Sequence, residues 1–147
     1  MTQEEKELVF RDMSARLLYN PKIKIGEYDY ELVGYNPQEN ETQPVTVRFY
    51  KNDVAYYVHI PIDDYKPYLR PMSSMTKEEQ RFIATKFNAD KMASIVTYTA
   101  SEDGLSEVCI EDTVGLIDWL NRNMFDYRGL IPKGLALVAR EGMYKND

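Results

Sequence analysis

The sequence predicts an α+β fold in which an antiparallel sheet of four to six strands, or a half-open barrel, packs with three helices. Three observations indicate this. The chain opens with an apolar stripe at helical spacing, residues 22–60 then alternate with period two, and helical spacing returns at 77–87 and 113–123. A chain of 147 residues without repeats or a step in composition fits a single domain, residues 1–147.

The first helix is predicted over residues 3–19. Val9 and Met13 are four residues apart, as expected for one face of a helix. Glutamates in the first turns suit the positive end of the helix dipole. Asn20-Pro21 should end the helix, because the residue before a proline is pushed out of helical geometry.

The alternating region predicts two hairpins. Residues 22–25 and 28–32 alternate around Gly26-Glu27, and a polar loop bounded by prolines follows at 36–44. Alternation places two tyrosines on the face of Leu32, which makes them core candidates: Tyr28 and Tyr30.

The second hairpin joins residues 45–50 and 54–60 through Asn52-Asp53, two residues that tolerate the positive φ of a two-residue turn. The more apolar face of its last strand should point into the core, and that face consists of Tyr56, Val58 and Ile60. The opposite face carries Tyr57 and His59, which should therefore meet solvent or a partner.

Prolines at 61, 67 and 71 predict an irregular crossing after the hairpins. Thr76 and Glu79 have the spacing of a capping box, so a helix should begin at residue 77 and continue to about 87. It should bury three apolar side chains, those of Phe82, Ile83 and Phe87.

The last third is predicted from shorter signals. The β-branched run 93–99 favours a strand, Glu102-Asp103-Gly104 a turn, and 105–110 another short strand. Asp112 should cap a helix over 113–123 that brings Trp119 into the core. Pro132, Gly134 and Gly142 divide the remainder into a helical turn and an extended piece.

Candidate chemistry is sparse along the chain. Cys109 is the one cysteine and His59 the one histidine, so neither an internal disulfide nor a Cys/His zinc site can form. No calcium loop, phosphate loop or dinucleotide fingerprint occurs, and no pair of the 24 acidic residues stands out. We therefore expect no catalytic residue, no bound metal and no cofactor, and we expect that the chain is not an enzyme.

The charge and apolar patterns bound the partners and the location. A net charge of −6 argues against direct nucleic-acid binding. The absence of a long apolar run or a leader predicts a cytoplasmic protein without a membrane span. Residues 102–118 carry acids and no Lys or Arg, so they are either a solvated helix start or an imitation of nucleic-acid phosphates.

Two stretches resemble a known group of proteins. Residues 67–79 read Pro-Tyr-Leu-Arg-Pro-Met-Ser-Ser-Met-Thr-Lys-Glu-Glu; later come Asp-Trp-Leu-Asn at 118–121 and Phe-Asp-Tyr-Arg-Gly-Leu-Ile at 125–131. They resemble a group of small uncharacterised proteins of gut Bacteroidetes and of their phages and prophages. The resemblance implies a bacterial or phage cytoplasmic setting and implies no activity.

Tyrosine is the unusual residue, with 12 in the chain and nine of them between positions 19 and 68. Aromatic residues favour half-buried strands, but an exposed row of tyrosines forms a docking face. We predict a protein-binding face with Tyr50 and Tyr57 as anchors and Arg48 and Lys51 as its polar rim. Two further candidates lie in segments marked by Pro or Gly, namely Arg70 and Arg128.

The sequence therefore predicts a small non-catalytic accessory protein of a phage or mobile element that acts by binding a macromolecule. A second hypothesis is an acidic decoy that occupies a nucleic-acid-binding host protein, and an enzyme is a third.

Overall fold

The computed structural model describes residues 1–36, 38, 41–61, 64–87 and 113–144. These residues form an open six-stranded sheet and three α-helices, which confirms the predicted α+β class. The chain divides into two compact units, one of Met1–Tyr68 with Leu135–Leu137 and one of Leu69–Gly134 with Val138–Asp147. No helix in the described parts is long and apolar enough to cross a membrane.

Helix α1 spans Gln3–Arg16 and continues as a 3-10 turn, Leu17–Tyr19. An unpredicted capping box starts the helix: the Thr2 hydroxyl accepts from the Glu5 amide, and the Glu5 carboxylate accepts from the Thr2 amide. Val9 and Met13 are buried on its inner face. The α-helix ends at Arg16, short of the predicted residue 19, and the 3-10 turn stops at Asn20, with φ of 49°, where Asn20-Pro21 was expected to end the helix.

A fully buried ion pair lies on that same face of α1. Both Asp12 and Arg16 are 0% exposed, and the Arg16 Nε and Nη2 atoms donate to the two Asp12 carboxylate oxygens at 2.8 and 3.0 Å. Burial of either charge alone would be costly, so their spacing of four residues is what allows both to enter the core.

The strands are β1 Lys22–Ile25, β2 Tyr28–Tyr35, β3 Val45–Lys51, β4 Val54–Ile60, β5 Lys66–Leu69 and β6 Leu137–Val138. Their order across the sheet is β4-β3-β2-β1-β5-β6, and the pairings from β4 to β5 are antiparallel. Both predicted hairpins are confirmed. Asn52 and Asp53 adopt φ of 52° and 61°, as a type I′ turn requires.

Strand β5 contradicts the predicted irregular crossing after residue 61. Pro67 lies within β5, opposite Ile23 of β1. Proline lacks an amide donor, but its carbonyl can still accept a hydrogen bond. The described pairing of β5 with β1 covers two residue pairs, so the short ladder accommodates the proline.

The core of the first unit lies at one end of the sheet face. Leu32, Val45, Val47 and Ile60 are buried there with Val9 and Met13 of α1. Toward the hairpin tips the same face is open. Tyr28 is 70% exposed, Tyr56 45% and Val58 42%, so their predicted core positions are wrong.

Two features of the fold explain this exposure. Phe10 and Met13 of α1 line one hollow with Leu32, Tyr35 and Val45, so the helix lies over the end of the face remote from the tips. In the described part of the chain, strand β4 is also the outermost strand of the sheet, with a neighbour on one side. Alternation identified the two faces correctly, but not how far along them the core extends.

In the second unit, the capping box at Thr76 and Glu79 is confirmed and starts α2, Lys77–Phe87. Helix α3 spans Thr113–Arg122. The core cluster is formed by Met72, Met75, Ile83, Phe87, Leu116, Leu120, Phe125 and Tyr127. Trp119, predicted to lie in the core, is half-buried and packs against this cluster, with its ring stacked on Phe125 at 5.6 Å between centroids.

One predicted core residue of α2 is wrong. Phe82 is 47% exposed, whereas Ile83 and Phe87, four residues apart on one helix face, are buried. Phe82 lies one residue step around the helix and stacks on the Trp119 ring instead, at 5.9 Å. The predicted strands 93–99 and 105–110, the turn 102–104, Cys109 and the Asp112 cap lie outside the described residues.

Candidate partner-binding surface

The structure brings three of the predicted binding residues together on one face of the β3–β4 hairpin. Arg48 of β3 pairs directly with Tyr57 of β4, and alternation along β3 puts Tyr50 on the same side. Tyr50 and Tyr57 are each 60% exposed. We call Arg48, Tyr50 and Tyr57 the tyrosine face.

Arg48 is held at the centre of the tyrosine face by its neighbours. Its Nη2 donates to Glu31 Oε2 across the β2–β3 ladder at 2.5 Å, and its guanidinium carbon lies 5.6 Å from the centroid of the Tyr50 ring. The hydrogen bond to Glu31 raises the pKa of Arg48, and a side-chain hydrogen bond with Tyr57 adds to it. The arginine therefore stays charged and fixed between two exposed rings.

His59 continues this face beyond Tyr57. It is the cross-strand partner of Thr46, and its Nδ1 lies 3.1 Å from the threonine hydroxyl. That contact is the cross-strand packing expected of a lone histidine in a strand. Within the described ranges, no group of three or more His, Cys, Asp and Glu side chains could hold a metal ion.

Lys51, the other predicted rim residue, lies on the opposite side of the hairpin. It shares a face with Phe49, two positions earlier in β3. Phe49 stacks on Tyr56 at 5.4 Å and meets Tyr30 edge-on at 5.6 Å. This aromatic row is the open end of the core face, so the hairpin exposes apolar side chains on both of its sides.

Arg70 lies in the second unit and is engaged there. Its Nη1 and Nη2 atoms donate to the two Glu79 carboxylate oxygens at 2.9 and 2.6 Å. Its guanidinium carbon lies 4.1 Å from the centroid of the Phe125 ring. Since the pair is largely buried, the guanidinium joins the start of α2 to the core of this unit.

Hydrogen bonds that the Glu79 carboxylate accepts complete that arrangement. Burial alone would raise the pKa of Glu79, but hydrogen bonds from Arg70 and from the amide and hydroxyl of Thr76 outweigh burial and lower the pKa. One carboxylate thus serves the helix cap and the arginine together. The spacing of Thr76 and Glu79 predicts the cap, but no local signal in the sequence indicates that Arg70 contacts Glu79.

Arg128 belongs to the segment 125–131, which is organised by its own side chains. The Asp126 carboxylate accepts the amides of Leu130 and Ile131, both at 2.8 Å. The Tyr127 hydroxyl donates to Asn121 at 2.8 Å, and the Arg128 guanidinium carbon lies 5.2 Å from the Tyr127 ring centroid. The motif residues at 118–121 and 125–131 thus have structural roles in the second unit.

The position of β4 at the edge of the described sheet was not predicted from the sequence. Residues 54–59 are exposed on both faces, which no strand inside a sheet would be. The signal was present in the composition, because no Lys, Arg, Asp, Glu or Pro occurs in 54–60.

Comparisons of the chain with protein-family models, with curated proteins and with solved structures found no match.

Proposed function

We propose that this chain is a small non-catalytic accessory protein of a phage or other mobile element of gut Bacteroidetes, and that it acts in the bacterial cytoplasm by binding another protein through the tyrosine face. The setting derives from the motifs at 67–79, 118–121 and 125–131. The binding role is supported by one observation above all, the pair of exposed tyrosines on either side of a fixed arginine.

Tyr and Arg are the residue types that dominate binding energy at protein interfaces. Tyrosine offers a large contact area and a hydroxyl while few side-chain torsions are ordered on binding. In the tyrosine face the Arg48 side chain is already oriented by Glu31, so little further ordering is needed when a partner binds. These properties favour a docking role over ordinary sheet packing.

Charge favours a protein partner over a nucleic acid. The positive charge of Arg48 is paired with Glu31, so the tyrosine face offers no surplus positive charge to a phosphate backbone. The whole chain carries a net charge of −6, which would repel a polyanion. A protein surface with apolar pockets for two phenol rings and a polar surround fits this face.

Comparative capture tests the proposal. Immobilised wild type, a Tyr57→Ala variant and a Tyr28→Ala variant would be exposed to the same Bacteroidetes lysate, and the retained proteins identified. Tyr28 is a matched control because it is an exposed tyrosine on the opposite face. Thermal unfolding of each variant would establish that the fold persists.

We expect a protein retained by wild type and Tyr28→Ala and lost from Tyr57→Ala. A protein retained equally by all three would refute the tyrosine face as the docking site. Retention that depends instead on the acids at 102–118 would favour the decoy hypothesis. Capture of nucleic acid without protein would refute the proposal.

A further inference from the structure

Among the residues that the structure describes, no strand pairs with the outer edge of β4. Within the described residues, β4 pairs with β3 in an unbroken register. The ladder runs from the pair of Lys51 and Val54 at the turn to the pair of Val45 and Ile60 at the other end. Natural edge strands are usually protected by Lys, Pro, bulges or short length. The opposite edge of the sheet follows that rule, because β6 has two residues, whereas β4 has seven and none of these protections.

The turn geometry shows which backbone groups of β4 face outward. In a two-residue hairpin the closing pair, here Lys51 and Val54, exchanges hydrogen bonds. Every second residue of β4 then bonds to β3 in the same way. The remaining residues direct their amides and carbonyls to the open side, and these are Ala55, Tyr57 and His59.

This edge is complementary to itself. When two copies of β4 run antiparallel with Tyr57 opposite Tyr57, Ala55 lies opposite His59 in both directions. Each of the three residues whose amide and carbonyl face outward then lies opposite another such residue. Each of these pairs exchanges two main-chain hydrogen bonds, as in an ordinary antiparallel ladder.

The side chains match in the same register. Tyr56 lies opposite Val58, and Val54 opposite Ile60, so apolar side chains meet on the core face. Aromatic–β-branched pairs of this kind are favourable across strands. No Lys, Arg, Asp or Glu lies in β4, so the contact brings no charged side chains of β4 together, although the whole chain carries −6.

We propose that β4 pairs antiparallel with β4 of a second copy of this chain, centred on Tyr57, so that one continuous sheet runs through a symmetric dimer. The occupant is a second copy because hydrogen bonds, apolar pairs and neutrality are all satisfied by the same strand in one two-fold register. The dimer places the two Tyr57 side chains next to each other. This inference goes beyond the proposed function and requires no other partner.

Sedimentation velocity on the purified full chain, from low micromolar to near-millimolar concentration, tests this. We expect wild type to shift from monomer to dimer as concentration rises. Tyr57→Lys should abolish the shift, because two ammonium groups would face each other across the two-fold axis. Tyr28→Lys is the matched control, since it adds the same charge on another strand, and should dimerise like wild type.

Ala55→Pro provides a second variant, because it removes an outward amide that β3 does not use. Hydrogen exchange on wild type needs no variant: the amides of Ala55, Tyr57 and His59 should gain protection as concentration rises. A wild type that stays monomeric throughout, or a dimer that survives both Tyr57→Lys and Ala55→Pro, would overturn the proposal. Failure here leaves partner capture by the monomer intact, so the two proposals fail separately.

Discussion

Arg48 on β3 lies directly opposite Tyr57 on β4 and is hydrogen-bonded to Glu31 on β2. Three strands thus contribute to one fixed group, with Tyr50 beside the guanidinium. An isolated exposed tyrosine would be unremarkable on a protein surface. Two tyrosines ordered around a held arginine form a preorganised surface, which is the reason to assign binding to this face.

The contact between Glu31 and Arg48 gives the first prediction. Glu31→Gln should change the free energy of unfolding by no more than about 1 kcal/mol, because partly exposed ion pairs contribute little. It should nevertheless weaken partner binding, since Arg48 loses the carboxylate that orients it. Urea unfolding and a binding titration would measure the two effects; a loss of binding in proportion to a large loss of stability would contradict this.

The Thr76 cap should be important for stability. Thr76→Ala removes the hydroxyl that accepts the Glu79 amide at 3.1 Å, and should destabilise the protein by about 0.5–2 kcal/mol. Thr85→Ala in the same helix is the control, because the exposed Thr85 hydroxyl donates to the Arg81 carbonyl within the helix and caps nothing. Chemical denaturation with equal midpoints for Thr76→Ala and wild type would argue against the cap.

Glu79 should make the free energy of unfolding depend on pH in the acidic range. Its pKa is lowered in the folded state, so its contribution is present above the unfolded value of about 4.3 and is lost as pH falls through the lower folded value. Glu79→Gln should be less stable at neutral pH and lose less stability on acidification. Glu78→Gln, at the exposed neighbouring position, is the control, and identical acid profiles for all three proteins would contradict the prediction.

Tyr65 should make the free energy of unfolding fall as pH rises in the alkaline range. Burial, with a smaller effect from Asp12, raises the pKa of Tyr65, so the folded chain keeps a proton that the unfolded chain releases above about pH 10. Stability should fall as pH rises beyond that point, and Tyr65→Phe should lessen the fall. Tyr28→Phe, at an exposed tyrosine, should leave the alkaline profile unchanged, and unfolding curves at several pH values would show whether it does.

Much of the secondary structure could be predicted because its signals are local. Helix α1, both hairpins and the start of α2 depend on spacing, capping and turn residues within a few positions of one another, as at Asn52-Asp53 and Thr76. Strand β5 could not be predicted this way, because Pro67 argues against a strand until its pairing with Ile23 is known.

The candidate site shows the same division. Alternation correctly put Tyr50, Tyr57 and Arg48 on one face, since period two follows from strand geometry. It could not show that the core stops before Tyr56 and Val58, which depends on where α1 lies and on the strand order. The contact of Arg70 with Glu79 likewise depends on the tertiary structure. The sequence predicted the cap formed by Thr76 and Glu79, but not the hydrogen bonds from Arg70 to the same carboxylate.

The central claim is that the tyrosine face binds a protein, and affinity for the captured partner tests it most directly. Titration calorimetry would compare wild type with Tyr50→Ala, Tyr57→Ala and the Tyr28→Ala control at matched folded fraction. Interface anchors of this type account for more than about 1.4 kcal/mol each, so we expect at least about a tenfold loss of affinity for Tyr50→Ala and Tyr57→Ala and none for Tyr28→Ala. Equal affinities for all four proteins would contradict the claim and return both tyrosines to sheet packing.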